Sequence, residues 1–292
     1  MSTATATLTD TATGLKASRS RALKVVPRFG MNYDVEIGLA GVAAALGCKP
    51  LSAAKVFNSS IPVSYPGHVI PASVTCPLAV IRVPLSGSAP WLTAAQQAAL
   101  AQVFASMPVT GRPVVSINQE GEENRFGYTA AQVAGSHGTA YQIFKARAPF
   151  NARYVQDLGT YSAYSGGRGT AFPDFLCCAV NGQQDLDAYL LDWYPNNTTA
   201  GAAASIQPAV DYIRGKIPGA VIGAAECNWL ASNGAYHGPG TPDQWFADCW
   251  AYAVASKFAA FIPYYYAAHS TPWPTDPAEL SELSAIAHAS GL

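Results

Sequence analysis

One α/β domain, a (β/α)8 barrel of the TIM type, is the fold class this sequence predicts. Three observations carry it. Eight short apolar runs recur from about residue 24 onward, and the segments between them carry helix-start signals. Together they span roughly 270 residues, where such barrels typically take about 250. An open doubly wound sheet is the rival architecture, but no strand–helix turn carries a glycine-rich dinucleotide fingerprint or a phosphate loop.

Residues 1–22 (MSTATATLTDTATGLKASRS and the two that follow) are rich in Thr, Ala and Ser and lack the apolar stretch of a secretory signal. They are expected to form a flexible tail or a docking segment for a partner, with the barrel domain occupying 23–292. The absence of a signal leaves the location open between the cytoplasm, a larger particle and export by another route.

The expected barrel strands are KVVPRFGMNY (24–33), AAKVFNS (53–59), PLAVIRVPL (77–85), RPVVSIN (112–118), RYVQDLG (153–159), AYLLDWYP (188–195), GAVIGAAE (219–226) and AAFIPYYY (259–266). Most are almost continuously apolar, as strands buried on both faces of a parallel sheet must be. Between strands three and four, Leu100, Val103, Phe104 and Met107 fall at the i, i+3, i+4, i+7 spacing of one helix face. Thr93 with Gln96, Thr129 with Gln132, and Thr241 with Gln244 are spaced as capping boxes, in which each side chain satisfies a backbone amide of the other. Pro242 stands at the first position of the third of these helices, and Asp276, Pro277 and Glu279 repeat the start signal near the end of the chain. The segment 161–184 has no strand or helix pattern and is expected to be the loop after strand five.

Composition narrows the function. Half of the residues are hydrophobic and only 12% are charged, so the surface must be built from neutral polar and aromatic groups, as is usual among carbohydrate-handling proteins. With a net charge of −1 and no basic cluster, there is no electrostatic footprint for nucleic acid. No apolar run approaches the roughly 18–20 residues needed to cross a membrane. The six cysteines (Cys48, Cys76, Cys177, Cys178, Cys227 and Cys249) form no C-x-x-C pair, which argues against structural zinc and for free thiols.

Active sites of such barrels lie where the strand C-terminal ends open into loops. There the titratable and polar groups of this charge-poor chain concentrate: Asn32 and Asp34 after strand one, Arg82 in strand three, Asn118, Gln119 and Glu120 after strand four, Asp157 in strand five, Asp192 and Tyr194 in strand six, and Glu226 in strand seven. Trp229 follows strand seven, and Tyr265, His269 and Trp273 follow strand eight as candidate sugar contacts. Glu120 and Glu226 each directly follow an apolar run and lie about three βα units apart, which places them on facing strands four and seven. Glu122 and Glu123 read as solvated loop charges. Two facing carboxyl groups are what glycoside hydrolysis requires, one to protonate the leaving oxygen and one to attack or to activate water. A gap of about 5–5.5 Å implies a covalent intermediate and retention. In this scheme Tyr194 holds the nucleophile by a hydrogen bond and Arg82 keeps it ionised.

The segment NQEGE, followed by FGYTAAQVAGSHGTAYQIF, resembles the strand-four segment of clan A retaining glycoside hydrolases and is most similar to the family 26, β-mannanase-like branch. GAAECNW resembles the strand-seven nucleophile segment of the same clan. The resemblance implies Glu120 as acid/base, Glu226 as nucleophile, a poly- or oligosaccharide substrate that is β-linked, and no cofactor or metal. The alternative is a non-catalytic carbohydrate-binding or structural component, of a virus particle or cell surface, on a glycosidase-like barrel. An aldolase-like barrel is disfavoured because Lys55 is expected to begin its strand rather than end it.

Overall fold

The protein is described here from a computed structural model, which covers residues 26–32, 38–121, 127–159, 175–177, 186–195, 199–230, 237–265 and 273–292, with the backbone of 2–9 and 16–23. Eight parallel strands close into a barrel. They are β1 (Arg28–Asn32), β2 (Ala53–Asn58), β3 (Cys76–Ile81), β4 (Val114–Ile117), β5 (Arg153–Gly159), β6 (Ala188–Trp193), β7 (Ile222–Cys227) and β8 (Ala260–Pro263), each paired with its sequence neighbours and β8 with β1. Around them lie α1 (Gly38–Ala45), α2 (Ala94–Ala105), α3 (Ala130–Arg147), α4 (Ala202–Lys216), α5 (Pro242–Ala255) and α6 (Pro277–Ala289). The eight apolar runs thus become the eight barrel strands, trimmed at their ends.

The helix starts follow the sequence signals. Thr93 accepts from the Gln96 amide at 3.3 Å while its own N–H donates to Gln96 Oε1 at 2.8 Å. Thr129 and Gln132 repeat this reciprocal pair at 3.2 and 2.8 Å. At α5 the Thr241 N–H reaches Gln244 Oε1 at 3.4 Å, and Asp276 caps α6 by accepting from the Ala278 amide at 2.7 Å.

Strand alternation separates two apolar shells. Outward residues such as Val115, Tyr154, Leu191 and Phe261 pack against the helices. Inward residues, among them Leu78, Val80, Val114, Val155, Leu190 and Ile262, fill the lower barrel. Gly30 faces Ala53 across the β1–β2 pair, and a Cβ there would sit 2.6 Å from the Ala53 carbonyl oxygen, so only glycine allows this approach. The barrel is sealed between its first and last strands by Asn32, whose side chain donates to the Tyr265 carbonyl at 2.8 Å and accepts from the Tyr265 amide at 3.0 Å.

The N-terminal segment carries strand pairing of its own. Ser2–Thr9 and Lys16–Leu23 pair antiparallel as a separate two-stranded sheet, from Ser2↔Leu23 to Thr9↔Lys16. Threonines at positions 3, 5, 7 and 9 give the period-two, β-branched pattern that suits a strand, a signal hidden by the low-complexity composition. Most of the loop expected at 161–184 lies outside the described residues. Five cysteines are free thiols, four of them buried; Cys178 is not among the described residues. No helix among the described residues is long and apolar enough to cross a membrane.

Behind β5, the α3 residue His137 is fully buried, with Nδ1 3.0 Å from the Tyr154 hydroxyl and Nε2 without a hydrogen-bond partner. Burial lowers its pKa from 6.5 to about 3. The unfolded chain therefore binds more protons than the folded one between those values. The stability from this group is full above about pH 6.5 and declines as pH falls through the window, by up to about 1.4 kcal/mol per pH unit. The His137→Phe variant should lose less stability than wild type between pH 7 and pH 5, by about 2 kcal/mol, measured by denaturant unfolding. Equal losses would contradict the assignment.

Candidate active site

Above the apolar layer, the barrel interior turns polar. Lys55 lies in mid-strand, its backbone registered with Asn32 on one side and Leu78 on the other. It shares the inward face of β2 with Ala53, and its side chain is fully buried. The ammonium crosses the barrel to the strands opposite, meeting Asp157 Oδ2 of β5 at 2.8 Å, Glu226 Oε1 of β7 at 3.0 Å and Asp192 Oδ1 of β6 at 3.3 Å. The Phe57 ring lies 5.0 Å from the same nitrogen. The expectation that Lys55 only begins its strand is corrected here. The signal was a lone lysine inside an apolar run, because a charge in a buried strand must find partners.

Glu226 faces inward because of a bulge. Ile222, Ala224 and Cys227 belong to the outer shell and Ala225 to the inner one, so simple alternation would turn Glu226 outward. The pairing with β6 slips between Leu191↔Ala224 and Asp192↔Glu226, and the pairing with β8 slips over the same stretch. One extra residue on β7 restores the inward aim. Three donors then hold the carboxylate. Lys55 Nζ at 3.0 Å and Gln119 Nε2 at 2.7 Å both reach Oε1, while the Tyr194 hydroxyl reaches Oε2 at 2.6 Å. Tyr194 thus makes the bond expected of it. Lys55 is a cation in direct contact with this carboxylate; Arg82, of which that role was expected, is half-buried just past β3, its amide donating to the Asn58 carbonyl at 2.8 Å.

The end of β4 is bent to deliver its polar residues. Asn118 and Glu120 have φ of 47° and 49°, a left-handed conformation uncommon outside glycine and often held at functional sites. Asn118 secures the bend, its Oδ1 accepting from the Val83 amide at 2.8 Å, and leaves Nδ2 buried without a hydrogen-bond partner. Between the two, Gln119 Nε2 bridges Asp192 Oδ2 at 2.5 Å and Glu226 Oε1 at 2.7 Å. Glu120 donates its amide to the Asp157 carbonyl at 3.0 Å and is 9% exposed. Its charge acts on both Asp192 and Tyr194, which brings it to the same cluster.

The electrostatics follow from one ammonium among several buried carboxylates. Burial alone would lower the Lys55 pKa, but Asp157, Asp192 and Glu226 outweigh it and raise it well above its ordinary value, so the amine stays protonated. Burial, then Asp157 and Glu226, push the Asp192 carboxyl well above the usual carboxylate range, with Lys55 opposing. Asp157 is raised less, by burial, and is held back by Lys55. Burial and the nearby carboxylates also raise Tyr194, which keeps its hydroxyl a donor. Among the described residues no group of three His, Cys, Asp or Glu side chains is arranged to hold a metal.

The other expected contacts have these partners. Tyr265 is buried outside the barrel wall, its hydroxyl donating to Glu279 Oε1 of α6 at 2.6 Å, and Trp273 packs edge-on against it at 5.4 Å. Tyr265 belongs to the helix layer because β8 alternates it outward, so it is not brought to the polar cluster. Asn32 is engaged in closing the barrel, as described above. Trp229 is half-buried beyond β7 and stacks on His237, with centroids 4.3 Å apart and planes at 17°. Asp34 and His269 lie outside the described residues.

No protein-family model matches the sequence, and no curated protein matches it. Solved structures do. A modular endo-β-1,4-mannanase of glycoside hydrolase family 26 from Cellulomonas fimi aligns over 90% of this chain and 70% of its own, with a TM-score of 0.59 and 16% identity. A Bacillus subtilis mannanase aligns over 92% and 87%, at 0.55 and 12%. A glycoside hydrolase family 5 enzyme from Prevotella bryantii aligns over 90% and 96%, at 0.54 and 10%. The chain shares the barrel fold of these clan A glycoside hydrolases.

Because the Tyr194 hydroxyl donates to Oε2 of a buried carboxylate at 2.6 Å, Tyr194→Phe should cost about 1–3 kcal/mol in chemical denaturation without changing the m-value. An unchanged midpoint would contradict the bond.

Proposed function

We propose that this chain is a retaining glycoside hydrolase that cleaves a β-linked poly- or oligosaccharide by double displacement, with Glu226 as nucleophile and Glu120 as acid/base. The observation that carries the reading is the inward, triply bonded Glu226 of β7; Glu120, at the bent end of β4, is near enough for its charge to act on Tyr194, the donor to Glu226. The barrel shared with family 26 and family 5 hydrolases supports it.

In the first step Glu226 attacks the anomeric carbon, the bond to the leaving oxygen breaks, and Glu120 gives its proton to that oxygen. In the second step Glu120 takes a proton from water, the water oxygen attacks the anomeric carbon and the ester to Glu226 breaks, so that configuration is retained. Neither step calls for a cofactor. Asn118, with its free buried amide hydrogens, is suited to a sugar hydroxyl.

A non-catalytic carbohydrate-binding barrel is the second reading. One observation favours it: both Glu226 oxygens already accept hydrogen bonds in a residue only 6% exposed.

Screening wild type, Glu226→Gln and Glu120→Gln against β-1,4-linked mannans and glucans separates the readings. Hydrolysis by wild type, reduced about 10³-fold or more in Glu226→Gln, is expected, with the initial product in the substrate's anomeric configuration. Polysaccharide binding without turnover by wild type would favour the binder. Equal turnover by Glu226→Gln would refute its role as nucleophile.

A further inference from the structure

Resting on the hydrolase reading, we propose that Lys55 is a positioning residue: with Gln119 it anchors Oε1 of Glu226, leaving Oε2 as the attacking oxygen. Asp157 and Asp192 serve as its standing counter-charge.

The donor geometry carries this. An ammonium has three hydrogens, and three carboxylates on β5, β6 and β7 surround this one at 2.8–3.3 Å. The Gln119 amide has two hydrogens, and both are engaged, on Asp192 and on Glu226. Two donors therefore converge on Oε1 of Glu226, from β2 and from the bent end of β4, while Oε2 meets the Tyr194 hydroxyl. A carboxylate oxygen with two donors in place is poorly free to form a third bond, whereas one with a single hydrogen bond keeps a lone pair available.

The same arrangement explains why one lysine is surrounded by three acids. When Oε2 bonds to the anomeric carbon, the negative charge on Glu226 is consumed. A buried ammonium whose counter-ion was Glu226 alone would then be left unpaired, at high cost. Asp157 and Asp192 remain in contact through both steps and exchange no atoms with the sugar. With Glu226 neutralised, they still flank Lys55 at 2.8 and 3.3 Å and balance its charge. Schiff-base chemistry at Lys55 is disfavoured by its full burial and by the carboxylates that hold its proton.

The test is steady-state kinetics of the full chain on the polysaccharide found by the screen above. A lysine that only supported folding would change the amount of active protein, whereas an anchor of Oε1 changes the chemical step. Lys55→Met is expected to lower kcat about 100-fold or more with KM within about threefold, and Lys55→Arg, which keeps the charge, to recover at least a tenth of the wild-type kcat. If Lys55→Met does not fold, the double variant Lys55→Met/Asp157→Asn, which removes one charge of each sign, and Gln119→Met, which removes the other donor to Oε1, are expected to show the same loss in kcat at unchanged KM. Folded variants that keep the wild-type kcat would overturn the role of Lys55 while leaving the hydrolase reading intact. A wild type that turns over no polysaccharide would overturn that reading, and with it the role built on it.

Discussion

A single buried ammonium organises this barrel. Lys55 reaches from β2 across the axis and meets a carboxylate on each of β5, β6 and β7. A lysine without exposure is tolerated only with partners, and three carboxylates packed together are tolerated only with a cation. Each therefore requires the other, and their pairing fixes where the apolar filling of the barrel stops and its polar mouth begins. The two catalytic candidates sit at that boundary.

Two local distortions make the arrangement possible. Regular alternation along β7 would point Glu226 at the helices, and the extra residue beside Ala225 turns it back toward the axis. At the end of β4, left-handed conformations at Asn118 and Glu120 send Gln119 inward, where its amide joins Asp192 to Glu226. Both distortions oppose the local preference of the chain. They persist because the buried hydrogen bonds they permit would otherwise be lost.

How much of this was legible in the sequence depended on whether a feature is periodic. The strands were visible because a parallel barrel demands apolar runs such as PLAVI and AYLL, and the helix starts because Thr93 and Thr129 sit three residues before glutamine. Glu120 and Glu226 were singled out because each directly follows such a run, and Tyr194 was expected to bond to the second of them. Aperiodic features escaped. Lys55 was set aside by its apparent place in the strand, although a charge inside AAKVF was itself the clue. The bulge on β7 leaves no trace in composition. Tyr265 was grouped with the site by proximity in sequence, whereas strand parity sends it outward to Glu279.

The claim on which the account depends is that Glu226 forms a covalent bond to sugar. Incubating the protein with activated 2-deoxy-2-fluoro glycosides of manno and gluco configuration, followed by peptide mass spectrometry, tests it directly. The fluorine slows both steps, and the activated leaving group restores the first, so a glycosyl-enzyme accumulates. The account predicts one sugar per chain, on the peptide containing Glu226 and on that residue. A wild-type protein that hydrolyses polysaccharide yet carries the label on another residue would contradict it.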